Sequence, residues 1–461
     1  MSRRTLYWLL ATASVTVFGL AVSYSAPSRE KDHDYELVRL VVDVLQEVRN
    51  KYVVDVSPER ERKLVEDMIN GGLERLDPHS HYINAHDLKQ FESQSDGKFG
   101  GIGIQVGYDR ENRGQLTIIS PMVDTPAWEA GLMAGDVLLK IDGRPTDSMR
   151  MSEAVDLIQG KAGTEVKLSI GREGLKEPKE VTVKRAVIKV PSVLGDVRSE
   201  DSPREWEYFL DRKERIAYIR ITNFGKNTAE EMREVLKKLE KDDVQGLVID
   251  LRGNPGGLLK TAVEVAGLFL REGVIVSTRG RNHREEVYRA RAEGTMLSEP
   301  GQEVPIAVLV NKYSASASEI LAAALQDHKR AVIVGERTYG KGSVQNVIPM
   351  EEETSALKLT TASYWRPSGK NIHRFPSKKD FEAAKIDPDE WGVSPDKGLA
   401  VELKDEVRVK YQQWRAERDV ILPKGKARKE GTFTDEVLKK ALEALRQQIA
   451  ARPAMPKKND A

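Results

Sequence analysis

The chain has 461 residues, 31% charged and 39% apolar, with 73 basic against 72 acidic side chains and no cysteine. At roughly 100–200 residues per domain this length suits two to four domains, and a net charge of +1 offers no basic face for nucleic acid. The lack of cysteine excludes disulfides, thiol nucleophiles, Cys-ligated zinc and iron–sulfur clusters. The histidines (His33, His79, His81, His86, His283, His328, His373) are scattered without an HExxH spacing, so neither a metal nor a cofactor is expected.

Arg3 and Arg4 precede an uncharged stretch, Thr5 to Ser28, rich in Leu, Val, Ala and aromatics. This is the pattern of a signal peptide over 1–28, or of a membrane anchor over 5–26, and either implies export from the cytoplasm. Residues 33–96 then read as an N-terminal helical region. Leu37, Leu40, Val41, Val44, Leu45 and Val48 recur at helical spacing, and Ser57-Pro58 starts a second helix with Ser as cap. From 97 to 188 short strands dominate, at 102–106, 116–119, 137–141, 166–170 and 181–183, with a short helix over 151–159. From 189 to 396 apolar strands at 216–221, 246–251, 306–310 and 331–334 alternate with helices at 229–239, 258–270 and 318–326. Such alternation predicts an α/β sheet covered on both faces, with its chemistry at the carboxyl ends of the strands. Residues 397–461 form a charged helical tail. Leu438, Leu442, Leu445 and Ile449 make a packing or dimer stripe there, before a disordered end from Arg452.

Three segments carry chemistry. Asn311–Ile320 holds Ser314, Ser316 and Ser318 at a strand-to-helix turn, where a serine is either a helix cap or a rigidly presented nucleophile. In the second reading the next N–H, of Ala317, sits at an anion-binding helix N-terminus. Gly340-Lys341-Gly342-Ser343-Val344-Gln345 presents a lysine between two glycines, either a solvated turn or an exposed base. Asp250–Gly257 follows a buried strand, and its Gly256-Gly257 pair either makes a tight connection or turns N–H groups into an oxyanion hole. Residues 335–342 imitate a phosphate-binding loop, but Gly342 stands where the magnesium-binding hydroxyl is required.

Together these segments resemble the carboxyl-terminal processing peptidases, or tail-specific proteases, which are serine proteases with a Ser–Lys dyad. The resemblance spans most of residues 35–396. The family's nucleophile stands 25 positions before its lysine, which from Lys341 selects Ser316. It implies Lys341 as general base, Gln345 as the residue orienting that lysine, and Ala317 with Gly256 or Gly257 as oxyanion donors. Residues 97–188 resemble a PDZ domain. Phe99-Gly100-Gly101-Ile102-Gly103-Ile104 matches the loop that accepts a terminal carboxylate, so Gly101, Ile102, Gly103 and Ile104 are expected to bind substrate. Arg172 resembles a family arginine that couples this domain to the core. Residues 372–386 depart from the family by being longer and more charged.

The implied fold is α/β multidomain: N-terminal helices, a β-rich PDZ domain, a crotonase- and ClpP-like α/β protease core and a helical tail. The implied activity is that of an exported serine endopeptidase acting on the C-termini of proteins through an acyl-enzyme. A homodimer or higher oligomer, an activating adaptor protein and membrane contact through a retained N-terminal segment accompany that reading. The chemistry stands without the resemblance. A serine needs a base, and a free lysine, with a pKa near ~10.4, becomes one only when desolvated. A catalytically silent PDZ scaffold is the alternative, although Ser316, Lys341 and the glycine pair are all present. A lipase or amidase using Ser316 is disfavoured by the missing GxSxG elbow.

Overall fold

The computed structural model describes residues 29–109, 114–199, 202–281, 285–297, 299–375, 377, 379–380, 382, 386–421 and 433–452. The apolar segment 1–28 and the end from 453, both singled out in the sequence, lie outside the described residues. No helix among the described residues is long and apolar enough to cross a membrane. The chain divides into two compact units between Tyr82 and Ile83.

The first unit contains helices α1 (Arg29–Lys51) and α2 (Pro58–Glu74). Ser57 caps α2 by accepting the Arg60 N–H, with Pro58 at the first helical position, where its missing N–H costs nothing. Leu37, Leu40, Val41 and Val44, the apolar stripe of α1, are all exposed.

The second unit begins with helix α3 (Ala85–Asp96) and strand β1 (Lys98–Gly101). A six-strand antiparallel sheet follows: β2 (Ile104–Asp109), β3 (Gln115–Pro121), β4 (Val137–Ile141), β5 (Glu165–Gly171) and β6 (Lys179–Lys184) are adjacent in that order, and the short strand Arg144–Pro145 also pairs with β4. Helix α4 (Met151–Ile158) buries Ala154 and Ile158 in a core with Ile102, Ile118, Leu138, Ile141, Leu168 and Ile170. Ile102 and Gly103, read as strand from the sequence, lie instead in the connection between β1 and β2. Gly103 takes φ +81°, and a Cβ there would fall 2.4 Å from that of Thr125. β2 is one of the two end strands of this order.

The larger sheet is built on β7 (Ile216–Ile221), β8 (Gly246–Asp250), β9 (Ile306–Val310) and β10 (Ala331–Gly335), parallel and adjacent in that order. Every residue of β8 and β9 is buried, as continuous apolar runs require when both sheet faces are covered. Helices α5 (Thr228–Lys241), α6 (Leu259–Gly267) and α7 (Ala317–Asp327) cover one face over Ile219, Leu247, Ile249, Ile306 and Val308. The opposite face, with Ile216, Tyr218, Val248, Ala307 and Leu309, is closed by a helix of the C-terminal tail, α9 (Glu436–Ala450), through Val437, Ala441 and Leu445. The stripe of the tail is therefore core packing. Helix α8 (Asp405–Asp419) precedes it.

Strand-and-helix alternation does not run unbroken to residue 396. Ser343–Met350 and Ser355–Trp365 form an antiparallel hairpin joined to Val274–Gly280. The sequence hid this hairpin because its apolar residues Val344, Val347, Ile348 and Met350 do not alternate strictly and Pro349 argues against a strand.

Candidate active site

Three loops leave the carboxyl ends of the neighbouring strands β8, β9 and β10, where a parallel sheet places its chemistry. The first begins at Asp250, which is fully buried. It accepts hydrogen bonds from Arg252 Nη2 at 2.6 Å, the Arg252 N–H at 2.9 Å and the Tyr218 hydroxyl at 2.7 Å. Burial would raise the Asp250 carboxyl, but the Arg252 guanidinium outweighs it and holds the group below its ordinary value. Arg252 reaches on to Asp435, 2.8 Å away, the N-cap of α9. Asn254, 1% exposed, then joins this loop to the second. Its Oδ1 accepts the Gly256 N–H at 2.8 Å, its Nδ2 donates to the Ile221 carbonyl, and its own carbonyl accepts the Ala315 N–H and the Ser318 hydroxyl.

The second loop places the three serines in different roles. The Ser314 hydroxyl donates to the Leu251 carbonyl at 2.8 Å and that of Ser318 to the Asn254 carbonyl at 3.0 Å; both residues are 0% exposed. Ser316 is half-buried and takes φ +53°, a strained conformation for a residue with a Cβ. A Cβ on Gly256 would lie 2.8 Å from that of Ser316 and 2.9 Å from the Ala317 nitrogen, so glycine is required there for the two turns to meet. The two glycines differ in what their N–H groups do. That of Gly256 is spent on Asn254. Phe224 pairs with the backbone around Gly257 through the Gly256 carbonyl and the Leu258 N–H, which leaves the Gly257 N–H without a partner among the described residues. The Ala317 N–H, first in α7, is likewise uncommitted.

The third loop carries Lys341, half-buried. Glu319, on the first turn of α7 and 0% exposed, binds this loop to the serine turn. Its Oε2 accepts the N–H groups of Ser316 and Lys341, each at 2.8 Å. Its Oε1 accepts the Gly340 N–H at 2.7 Å and the Thr338 hydroxyl at 2.5 Å. Burial pushes this carboxyl up to about 7 against those four hydrogen bonds, which favour the anion. Gln345 stands at a β-bulge in the strand after Lys341, and its amide donates to Ser343 at 2.9 Å and Thr360 at 3.2 Å. Residues 371–374, at the start of the segment that departs from the family, line the lysine loop. The Arg374 N–H donates to the Gly340 carbonyl, and a Cβ on Gly342 would collide with His373. His328 caps the far end of α7, with its ring on the Val274 carbonyl.

In the connection that leads into the smaller sheet, Gly101, Ile102 and Gly103 are buried and Ile104 half-buried. The Ile102 carbonyl accepts the Ala127 N–H, and the Gly103 carbonyl accepts the Met122 N–H. Arg172 forms a bidentate pair with Asp136, at 2.6 and 2.7 Å, and donates to the Gly131 carbonyl. These contacts hold it within the sheet's own domain.

Residues 215–389 match the model of peptidase family S41, and residues 117–172 that of the PDZ domain. A carboxy-terminal-processing protease of Bartonella bacilliformis is 37% identical over 392 residues, 84% of each chain. The chain belongs to peptidase family S41. It is a serine-type peptidase with a PDZ domain. The peptidase is also 34% identical over 351 residues to the carboxy-terminal processing protease CtpA of Bacillus subtilis, covering 74% of this chain and 70% of that one. Its fold aligns with a solved photosystem II D1 C-terminal processing protease at 26% identity and a TM-score of 0.40, over 78% of this chain and 86% of that one.

Sequence reasoning about the peptidase passed over Glu319, Asn254 and the Arg252–Asp435 pair. Glu319 had a signal, an acid three positions after a helix-capping serine, which reads as an ordinary capping pair. Asn254 and Asp435 carried only an ordinary turn and N-cap signal, from their bonds to the N–H groups of Gly256 and Leu438, while the Ile221 and Arg252 partners that tie them into the site are remote in the chain.

Proposed function

We infer that the chain is an exported endopeptidase that recognises the C-terminal tail of protein substrates through its PDZ domain and cleaves them with a Ser316–Lys341 dyad. The observation that carries this reading is the state of the three serines. The hydroxyls of Ser314 and Ser318 are spent on backbone carbonyls, while Ser316 stands strained and half-buried beside two uncommitted N–H groups.

In this reading the neutral Lys341 amine takes the Ser316 Oγ proton as Oγ attacks the scissile carbonyl carbon. The carbonyl oxygen becomes an oxyanion held by the N–H groups of Ala317 and Gly257, the glycine whose donor is free. When the C–N bond breaks, the Lys341 ammonium returns the proton to the leaving amine. A water deprotonated by Lys341 then hydrolyses the ester on Ser316. Lys341 must be neutral at the moment of attack, which requires a desolvated environment once substrate covers it. Gln345 orients the lysine by way of its place on the bulge. Gly101–Ile104 receive the terminal carboxylate while the tail adds to the free edge of β2. Arg172 couples that event to the core by exchanging its Asp136 partner.

Export rests on the Arg3-Arg4 and 5–26 pattern and implies an extracytoplasmic location, with membrane contact if the segment is retained. The exposed stripe of α1 suits a second copy of the chain, and an adaptor protein would act by engaging the lysine loop.

The test is cleavage of an unfolded protein with an apolar C-terminus by residues 29–461 as wild type, Ser316→Ala and Lys341→Ala, beside the same substrate with an acidic tail. Cleavage by wild type alone, weakened by the acidic tail, supports dyad and tail recognition together. Cleavage that persists in Ser316→Ala removes the nucleophile from this reading.

A further inference from the structure

Resting on the dyad reading, we propose that Glu319 is a positioning residue whose buried carboxylate holds the lysine loop against the serine turn, and whose protonation releases that loop. The four groups that reach it are all donors: three backbone N–H groups and the Thr338 hydroxyl. A proton added to Oε2 would face the Ser316 and Lys341 N–H groups and find no acceptor. A proton added to Oε1 would face the Gly340 N–H and the Thr338 hydroxyl, which already accepts the Val393 N–H at 2.8 Å and could take the proton only by turning its own hydrogen away from Glu319. Protonation at Oε2 therefore expels a donor, protonation at Oε1 reverses the Thr338 bond, and in either case the remaining bonds to the lysine loop and the serine turn lose the assistance of the negative charge.

The charged and titratable side chains on the surrounding elements are occupied in other ways. On the lysine loop, Arg337 donates to Ser394 and lies over Trp391, and Glu336 pairs with Arg408. On the segment beside it, Arg374 lies over Trp391 and the His373 ring packs edge-on to Phe375. On the glycine turn, Asp250 and Arg252 pair with each other. On α7 itself, Asp327 pairs with Arg366 and His328 meets Val274. Lys341 meets Glu319 through its backbone N–H. Burial raising the carboxyl to about 7 brings the release into the neutral range.

The experiment is amide hydrogen exchange, corrected for intrinsic rate, on the Ser316→Ala protein between pH 5.5 and 8.5. Its readout is independent of cleavage, so it tests the clamp even if another residue is the nucleophile. The expected result is that protection of the Gly340 and Lys341 amides falls at least tenfold as pH drops through about 7, while amides of β9 and β10 stay protected. In Ser316→Ala/Glu319→Gln, whose carboxamide presents only one acceptor oxygen, protection at these two amides is low throughout and flat with pH, with β9 and β10 reporting an intact fold. Equal protection on both sides of neutrality, or a pH dependence that survives Glu319→Gln, overturns the proposal. Cleavage assays with otherwise wild-type protein add a second readout: Glu319→Gln lowers kcat more than it raises KM and removes one proton from the acid limb of the rate profile. A loss confined to KM also overturns it.

Discussion

Ser316 and Lys341 give their backbone N–H groups to the same atom, Oε2 of Glu319, at 2.8 Å each. A residue on the first turn of α7 thus sets the separation of two loops that leave different strands. The position of the lysine is a property of the sheet and helix together.

The proposed Ser316–Lys341 dyad is the first thing to test by substitution. Ser316→Ala and Lys341→Ala should each lower kcat by about 10⁴-fold or more, the scale seen when a nucleophile or its base is removed. Lys341→Arg should be as inactive as Lys341→Ala, because a guanidinium does not give up its proton near neutrality. Ser314→Ala and Ser318→Ala should instead lose stability, by about 0.5–1.5 kcal/mol for a lost hydrogen bond, since the Leu251 and Asn254 carbonyls keep the N–H groups of Asn254 and Ala315, with the catalytic rate of the folded fraction unchanged. Single-turnover cleavage beside thermal unfolding separates the two outcomes.

Tail recognition should separate from chemistry at Gly103. A methyl group there would lie 2.4 Å from the Thr125 Cβ, at a backbone φ of +81°. Gly103→Ala should raise KM for a tailed substrate by roughly tenfold or more through distortion of the proposed carboxylate loop. Its kcat at saturation should stay near wild type, as steady-state kinetics on matched substrates would show.

The tail helix should prove indispensable to the peptidase core. Removing residues 434–461 uncovers the face carrying Val248, Ala307 and Leu309 and leaves Arg252 without Asp435. The expected product is insoluble or unfolded protein. Arg252→Met, which strands the buried Asp250 carboxylate, should cost about 3–5 kcal/mol in denaturant unfolding.

Glu319 should also shape stability against pH, with a sign opposite to its role in activity. Its carboxyl is raised from 4.5 to about 7, so the protonated form is favoured by folding. That contribution is fully present below about 4.5 and is lost as pH rises through about 7. It amounts to roughly 3 kcal/mol for a group that is almost wholly buried. Wild type should therefore lose stability relative to Glu319→Gln between pH 5 and pH 8, measured by denaturant midpoints at each pH. A difference that stays constant with pH contradicts the assignment.

Much of the site was legible because its signals are local. A serine run between a buried strand and a helix, a lysine between glycines and a glycine pair after a buried strand are each contained in fewer than about a dozen residues, and turn chemistry acts over that range. The hairpin after Lys341 was not legible, because its apolar residues Val344, Val347, Ile348 and Met350 do not alternate strictly and Pro349 argues against a strand. The tail helix was readable as a helix with a stripe, yet its partner was not. An amphipathic face states that something covers it without saying what.

The sequence by itself determined the turn residues, the buried parallel strands and the residue types at the three loops, since backbone preference and hydrophobic periodicity are written within each segment. The tertiary structure alone decided which donors and hydroxyls remain available. Gly256 is occupied and Gly257 is not because Asn254 turns its side chain onto one of them. Ser314 and Ser318 are spent because the carbonyls of Leu251 and Asn254, 63 and 64 positions away, reach them first. Arg252 meets Asp435 across 183 positions. Hydrogen bonds saturate, so what a buried group can still do depends on which neighbour the fold has already given it.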